Sequence, residues 1–356
     1  MEQVNTLVAG GGRIGEIHAR NVFASTAGLR LAGIVEPHPS ESLMRFAQQA
    51  GVRIVTDLSD ALERSGDIDA VIVATPTALH EEVVNAAASV GAHVFCEKPL
   101  AGDVESARRI VSLMENAGKT LQVGFNRRFD HNFAALRNAV ATGAVGRVEL
   151  VRVTSRDPAP PGLEYIRTSG GLFMDMTIHD FDMVRFITAD EVVSVFAKGA
   201  CLVDEHIGSA GDIDTAVVTL TFGNGAIGVI ENSRRATYGY DQRAAVHGSG
   251  GAAETGNDVK SSVVVSDATG IHGETPLHFF LERYRDSFVA ELESFAAAVG
   301  NGSPPEVSGR DGIEAMRIAD ACRVSLSDGC EVSIPEEGQA GTRATTPAGS
   351  AAGANR

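Results

Sequence analysis

The first 125 residues alternate short, continuously apolar runs with helix-like segments, and this alternation limits the fold more than any other feature of the chain. Runs such as "DAVIVATP" have no polar face, which is typical of parallel strands that helices cover on both sides. Strands are predicted at 5–9, 30–35, 70–74, 93–96 and 120–125, with helices at 14–24, 40–49, 79–90 and 104–116. Residues 1–125 are therefore expected to form an α/β domain with a doubly wound parallel sheet.

Beyond residue 125 the chain changes to longer strands with alternating polarity, after a helix at 133–141. The predicted strands are "VELVRVTSR", "VVSVFAKG", "TAVVTLTF", "AIGVIENS", "RAAVHG" and "SSVVVS". Gly223, Asn224 and Gly225 predict a hairpin between the third and fourth of these, because Asn and Gly tolerate positive φ. Helices are expected at 170–186, 279–299 and 309–327. Residues 126–335 are thus predicted to be an α+β domain with a large open, mainly antiparallel sheet.

Length and composition agree with two domains and exclude some partners. A chain of 356 residues exceeds the size at which one core usually stops growing. Its formal charge of −16 disfavours nucleic acids and anionic membranes, which both require basic surfaces. There is no signal-like N-terminus, no apolar run of membrane-spanning length and no C-x-x-C pair, so a cytoplasmic protein is expected. The tail at 336–356 lacks apolar residues to anchor it and is predicted to be disordered.

A glycine-rich turn follows the first predicted strand. Gly10, Gly12 and Gly15 form a G-x-G-x-x-G pattern that opens a helix, with Arg13 and Ile14 inside it. Such glycines permit a tight turn and bring backbone N–H groups close to a pyrophosphate, which the helix N-terminus also attracts. The pattern predicts a Rossmann dinucleotide-binding domain; the alternative is a nucleotide-free sheet with a glycine-rich turn.

The second predicted strand ends at Glu36, 21 residues after Gly15. A carboxylate at this place accepts hydrogen bonds from the adenosine ribose and repels a 2′-phosphate, so NAD is predicted rather than NADP. Arg13 could weaken this preference.

Further polar residues follow strand ends, at the rim where open α/β sheets bind ligands. Glu97 and Lys98 come directly before Pro99, and a cis Lys98–Pro99 bond would fix the direction of the lysine. Lys98 could hold a substrate oxygen, or it could be an ordinary surface lysine. Thr75 and His80 are expected to line the nicotinamide side, although His80 could equally be a plain helix-start residue.

The apolar segment "GGLFMDMTIHDFDMVRF" carries Asp175, His179 and Asp182 at i, i+4 and i+7. In a regular helix these residues share one face, which predicts a polar stripe turned towards a cleft or ligand. Two alternatives remain open from the residues alone: a core histidine with an aspartate partner, and a divalent-cation site. The favoured prediction is that this site holds no metal.

The motifs together resemble the Gfo/Idh/MocA oxidoreductases over roughly residues 4–335. The resemblance rests on "GGGRIGEIHA", "FCEKPLA", "QVGFNRRFD", "DMTIHDFDM" and "SRRATYGYDQR". Within the family the pattern is most similar to that of the inositol 2-dehydrogenases, whose Lys and D-x-x-x-H-x-x-D positions match Lys98, Asp175, His179 and Asp182. The resemblance also implies that Arg127, Asp157 and Tyr240 lie near a polyol and that the second domain supports a homotetramer.

The residue chemistry agrees with alcohol oxidation. His179 is predicted to be the general base, Asp175 to fix its tautomer and Lys98 to hold the alcohol oxygen. Asp182 would accept hydrogen bonds from neighbouring hydroxyls. The predicted reaction is NAD-dependent oxidation of myo-inositol to 2-keto-myo-inositol (scyllo-inosose). A scyllo-inositol or pyranose dehydrogenase is the nearest alternative, and a non-catalytic NAD-sensing regulator is the alternative from another class.

Overall fold

The computed structural model describes residues 3–24, 26–64 and 68–335. The tail predicted at 336–356 lies outside the described residues.

The first sheet is built from short buried strands. In chain order they are β1 (Val4–Ala9), β2 (Leu29–Val35), β3 (Ile54–Val55), β4 (Ala70–Val73), β5 (His93–Cys96) and β6 (Leu121–Val123). Within the described ranges these six strands pair in parallel in the order β3-β2-β1-β4-β5-β6. The order reverses between β1 and β4, so the carboxyl ends of these two strands open onto a crevice. The predicted doubly wound sheet is confirmed.

Helices cover both faces of this sheet. They are α1 (Arg13–Ala24), α2 (Glu41–Ala50), α3 (Leu58–Arg64), α4 (His80–Ser89) and α5 (Val104–Asn116). Local capping sets some of their ends: the Ser40 side chain accepts a hydrogen bond from Leu43 N, and Gly51 ends α2 with a φ of 67°. The sequence did not predict β3 and α3, which are a two-residue strand and a seven-residue helix.

The second sheet uses longer strands with one buried face. The strands of this half are β7 (Val148–Arg156), β8 (Val192–Ala200), β9 (Thr215–Phe222), β10 (Ile227–Ser233), β11 (Asp241–Gly248), β12 (Gly251–Glu254), β13 (Val265–Asp267), β14 (Gly270–His272) and β15 (Val332–Ser333). The large sheet has the order β12-β11-β7-β10-β9-β8-β15, and its pairs are antiparallel except for the parallel pair of β7 and β10. The predicted hairpin joins β9 to β10, with Gly225 at a φ of 87°.

One predicted strand lies elsewhere. "SSVVVS" was expected to extend the large sheet, but only Val265–Asp267 is a strand, and it pairs with β14 in a separate hairpin. The reason is that Val263, Val264 and Val265 are more than half exposed, so no core lies behind them.

The helices of the second half are α6 (His131–Ala141), α7 (Leu163–Thr168), α8 (Ile178–Thr188), α9 (Glu205–Ser209), α10 (Phe280–Arg283), α11 (Arg285–Asn301) and α12 (Gly309–Asp328). Helix α8 packs on β7, while α12 packs on β8 and also on α5 and β6 of the first half. Leu292 and Phe295 of α11 share a core with Val8 and Phe95. The last two long helices therefore pack against the first half as well as the second, and the domain division at residue 125 stays a prediction. None of the helices in the described parts of the chain is both long and apolar enough to cross a membrane.

Candidate active site

A cleft of about 1310 Å³ separates the carboxyl ends of β1 and β4 from the large sheet. This volume exceeds the roughly 300–1,000 Å³ of a typical single-ligand pocket, so it has room for a cofactor and a small substrate together. Most of the sequence-predicted site residues line it. They are Gly10, Gly12, Arg13, Ile14, Glu36, Thr75, His80, Glu97, Lys98, Arg127, Asp157, Asp175, His179 and Tyr240.

The three glycines of the turn have different structural requirements. Gly10 has a φ of 96°, and a Cβ there would lie 2.5 Å from the backbone of Ala74. A Cβ on Gly15 would overlap the carbonyl oxygen of Gly10. Gly12 has open space where its Cβ would be, and this space is the cleft. Gly10 and Gly15 thus permit close packing, and Gly12 leaves the cleft clear for a ligand at the start of α1.

Glu36 follows the end of β2 and bonds to the same turn. Its Oε2 accepts a hydrogen bond of 2.7 Å from Gly11 N, and its Oε1 accepts one of 2.9 Å from His38 N. Each carboxylate oxygen can accept more than one hydrogen bond, so the group remains able to bind a ribose hydroxyl. Glu36 therefore links the end of β2 to the glycine turn at the edge of the cleft.

His80 and Thr75 lie beside β4. The His80 ring nitrogens are 3.0 Å from Thr75 O and 3.3 Å from Leu100 O, and burial lowers the pKa of His80. The imidazole is therefore neutral and contacts the backbone, as its helix-start position allows. The Thr75 hydroxyl is buried without a hydrogen-bond partner among the described residues, at the edge of the cleft.

Glu97 and Lys98 follow β5. Glu97 Oε1 lies 2.7 Å from His18 Nε2, and the Lys98–Pro99 peptide bond is cis, the geometry that the sequence raised as a hypothesis. The Lys98 ammonium donates a hydrogen bond of 2.8 Å to the carbonyl oxygen of Asp175 and lies 3.6 Å from its Oδ1. A lysine from the first half is thus held by the second half at the cleft.

Asp175 and His179 lie on either side of a change in helix type. A single wide turn of π-helix covers Phe173–Thr177, and α8 begins at Ile178. Because a π turn has more residues than an α turn, the spacing of side chains departs from the regular i, i+4, i+7 stripe. π turns of this kind are frequent at functional sites.

The carboxylate of Asp175 is held by two side chains that the sequence did not identify. Tyr165 donates a 2.6 Å hydrogen bond to Oδ1, and the fully buried Arg234 donates two of 3.2 Å to Oδ2. His179 Nδ1 is buried and has no hydrogen-bond partner in the described parts of the chain. The expected contact through which Asp175 would fix the His179 tautomer is therefore absent from the described geometry.

Burial lowers the pKa of His179 well below its usual value, and the positive charges of Lys98 and Arg127 lower it further. The imidazole is thus neutral at neutral pH and can accept a proton. Its ring also makes an edge contact with Phe125, with the ring centroids 6.0 Å apart.

The expectation for Asp182 is wrong. Asp182 is fully buried and does not line the cleft, because both of its oxygens accept hydrogen bonds from Arg128, at 2.5–3.1 Å. The same contacts leave the suggested divalent-cation site without one of its three ligands. Asp180, beside His179, is also fully buried: it accepts hydrogen bonds from Arg127 at 2.6 Å and from Asn232 at 2.7 Å, and of these partners Arg127 lines the cleft.

The residues implied by resemblance also lie at the cleft. Arg127 donates to Asp180 and, at 3.0 Å, to Ser155. Asp157 is partly buried, and burial raises its pKa to about 6. The buried ring of Tyr240 packs edge-on against Tyr284, with the centroids 5.9 Å apart.

Sequence reasoning missed Tyr165, Asp180 and Arg234. Asp180 adjoins His179 but lies off the i, i+4, i+7 pattern that singled out Asp175, His179 and Asp182. Arg234 follows the end of β10 in "NSRRATYGYDQR", so its position after a strand was the available signal. Tyr165 lies on the short helix α7, for which the sequence carries no comparable signal.

Comparisons with known proteins fit this arrangement. Residues 4–125 match the family model for an oxidoreductase family with an NAD-binding Rossmann fold, and residues 133–254 match the GFO/IDH/MocA C-terminal domain. A Thermotoga maritima protein named myo-inositol 2-dehydrogenase is 47% identical, over 92% of this chain and 98% of the relative. The crystal structure of a myo-inositol dehydrogenase from Corynebacterium glutamicum is 36% identical with a TM-score of 0.88, covering 94% and 99% of the two chains. That of a Lactobacillus casei scyllo-inositol dehydrogenase with bound NAD(H) and scyllo-inositol is 26% identical with a TM-score of 0.86, covering 93% and 99%.

Proposed function

Because the chain belongs to the Gfo/Idh/MocA family of oxidoreductases, we propose that it oxidises a secondary alcohol of a cyclic polyol with NAD. The substrate proposed first is myo-inositol, which would give 2-keto-myo-inositol. The observation that carries the proposal is the meeting of Lys98 from the first half with Asp175 and His179 from the second at one cleft.

The proposed mechanism assigns one task to each of these groups. When bound, NAD supplies the hydride acceptor at its nicotinamide ring. The Lys98 ammonium holds the alcohol oxygen and stabilises negative charge on it, while the carbonyl of Asp175 keeps the ammonium in place. The neutral imidazole of His179 takes the hydroxyl proton. The carboxylate of Asp175 balances the positive charges of Lys98 and Arg234 around the site.

Cofactor and substrate have separate supports along the cleft. Three residues on the side of the first sheet fit a bound dinucleotide: Gly12, Glu36 and Thr75. The carboxylate of Glu36 makes this site suit NAD better than NADP. Arg127 and Asp157 provide a hydrogen-bond donor and an acceptor on the other side, which suits a ligand with many hydroxyl groups. The relatives named myo-inositol dehydrogenases support myo-inositol, and the Lactobacillus casei structure supports scyllo-inositol as the second candidate.

We also propose that the protein is a cytoplasmic homo-oligomer, with a tetramer as the expected form. Leu150, Val217 and Ile227 are each more than 40% exposed on the outer face of the large sheet. Ile227 pairs with Leu150, so these two are adjacent, while Val217 lies opposite Glu231. Exposed apolar side chains on an open sheet face fit burial against another copy of the chain.

A spectrophotometric screen tests the proposed reaction. The purified protein is mixed with NAD or NADP and with myo-inositol, scyllo-inositol or common aldoses, and NAD(P)H formation is followed. Fastest turnover is expected with NAD and an inositol, and His179→Ala serves as the inactive control. NAD binding without reduction by any polyol would contradict the proposal and favour the NAD-sensing alternative.

A further inference from the structure

A buried hydrogen-bond network holds Arg127 where it borders the cleft. The centre of this network is Asp180 of α8, which is fully buried and bonds to two strands of the large sheet as well as to Arg127. The proposed function uses Arg127 as a hydrogen-bond donor to the substrate but assigns no task to Asp180.

Both oxygens of the Asp180 carboxylate accept hydrogen bonds. Oδ1 accepts one of 2.6 Å from Arg127 Nη1 and one of 2.5 Å from the Ser155 hydroxyl. Oδ2 accepts one of 2.7 Å from Asn232 Nδ2. Ser155 and Asn232 are paired neighbours on the parallel strands β7 and β10, so the sheet register brings both side chains to the same carboxylate. Burial raises the pKa of Asp180, and its three donors act against this rise.

The guanidinium of Arg127 is held along one edge. Its Nη1 donates to Asp180 and, at 3.0 Å, to the Ser155 hydroxyl, and its central carbon lies 5.7 Å from the centre of the Tyr284 ring. Among the described residues no acceptor bonds to Nε or Nη2, and Arg127 lines the cleft. Because a guanidinium is planar and rigid, fixing Nη1 also fixes the direction of its remaining N–H groups.

We propose that Asp180 is a positioning residue for substrate recognition: it fixes one edge of the Arg127 guanidinium so that the other edge donates to hydroxyl groups of the substrate. Asp180 acts through Arg127, since it is fully buried and does not line the cleft itself. The inference rests on the proposed function in taking a ligand with many hydroxyl groups as the occupant of the cleft. Hydride transfer and proton removal are assigned to other groups, so a displaced Arg127 should weaken substrate binding more than it slows turnover.

Three single variants test this role by steady-state kinetics with myo-inositol at saturating NAD. Asp180→Asn keeps the size of the side chain and removes its charge, so KM is expected to rise about tenfold with kcat within about threefold of wild type. Ser155→Ala removes a neutral contact of Nη1 and leaves the ion pair, so KM should rise about threefold. Asp130→Asn is the matched control, because Asp130 forms a buried ion pair with Arg283 and neither residue lines the cleft. Its KM should stay within about twofold of wild type, whatever happens to its Tm.

A double variant separates positioning from a purely structural role. If Asp180 acts through Arg127, adding Asp180→Asn to Arg127→Met should leave KM within about twofold of Arg127→Met alone, because the contact is already lost. A purely structural role would add its own effect. Thermal melts show which variants are folded, and Ser155→Ala alone decides if the variants of the ion pair do not fold.

The possible results distinguish this inference from the proposed function. An unchanged KM in the folded single variants, or additive effects in the double variant, would overturn the positioning role alone. A wild-type protein that neither binds nor oxidises any polyol would refute the proposed function, and the inference would fall with it because its ligand would be lost.

Discussion

Tyr165→Phe isolates the hydrogen bond that holds Asp175 beside Lys98. In the wild type, the Tyr165 hydroxyl donates to Asp175 Oδ1 at 2.6 Å, and the Lys98 ammonium lies 3.6 Å from that oxygen. Without the hydroxyl, Oδ1 can move closer to Lys98 and shorten the existing 3.6 Å ion pair. The ammonium is then drawn away from the alcohol oxygen that it is proposed to hold.

The magnitude follows from the type of hydrogen bond. A hydrogen bond to a charged group contributes about 1.5–3 kcal/mol of free energy. The lower end of this range applies here because Tyr165 is 50% exposed, so a water molecule can replace the lost hydroxyl. About 1.4 kcal/mol corresponds to a tenfold change in rate. We therefore expect Tyr165→Phe to lower kcat/KM for inositol oxidation about tenfold, with an unchanged dissociation constant for NAD.

Tyr238→Phe is the matched control. Tyr238 donates a 2.7 Å hydrogen bond to Asp241, is 43% exposed and does not line the cleft. Both variants lose a hydrogen bond from a tyrosine hydroxyl to a carboxylate, and Tyr238→Phe also loses the 3.0 Å bond that Arg156 donates to Tyr238, but only Tyr165 borders the site. Steady-state kinetics and thermal melts on both variants separate activity from stability. Equal kcat/KM values for the two variants, or a loss of NAD affinity in Tyr165→Phe, would refute the reasoning.

Further predictions concern the base, the cofactor carboxylate and the substrate carboxylate. His179→Ala should lower kcat about 10²–10⁴-fold, with NAD binding retained. Because the pKa of His179 is lowered, a steady-state pH profile of the wild type should show a constant kcat/KM as the pH falls through 6.5. Glu36→Ala should weaken NAD about tenfold and reduce discrimination against NADP, as measured by the two dissociation constants; an unchanged ratio would contradict its assigned place. Burial raises the pKa of Asp157 to about 6, against about 3.9 in an unfolded chain, so ionised Asp157 destabilises the native state above pH 6. Asp157→Asn should therefore raise the free energy of unfolding by about 3 kcal/mol at pH 8 and by less than about 1 kcal/mol at pH 4, in urea titrations.

Most of the fold could be predicted from the sequence because, in most elements, the local residue pattern agrees with the tertiary structure. Continuous apolar runs are buried on both faces in β1 and β4, and the alternating runs have one buried face in β9. "SSVVVS" shows the limit of this reasoning. Its composition favours a strand, but whether any core lies behind it depends on parts of the chain that local pattern does not include.

Site residues could be predicted where their position after a strand end determines their place. They could not be predicted where a contact with a distant side chain determines it. Gly10 and Lys98 follow strand ends, so sequence order alone placed them at the crevice. The burial of Asp180 and Asp182 depends on the arginine that each contacts, Arg127 and Arg128, and the π turn before them follows from no periodic pattern in the sequence. Tyr165 and Arg234 reach Asp175 from 10 and 59 residues away, which only the folded chain brings together.

The return of α11 and α12 to the first sheet has a consequence for biosynthesis. Leu292 and Phe295 complete a core that contains Val8, and Val123 N donates to Val307 O at 3.0 Å. When only the first 125 residues have been translated, α1 to α5 are present, but the part of the core that α11 and α12 complete is still missing. The nascent cofactor half must wait for nearly the whole chain to emerge before it can close, and expressing it as an isolated fragment would leave that apolar surface open to aggregation.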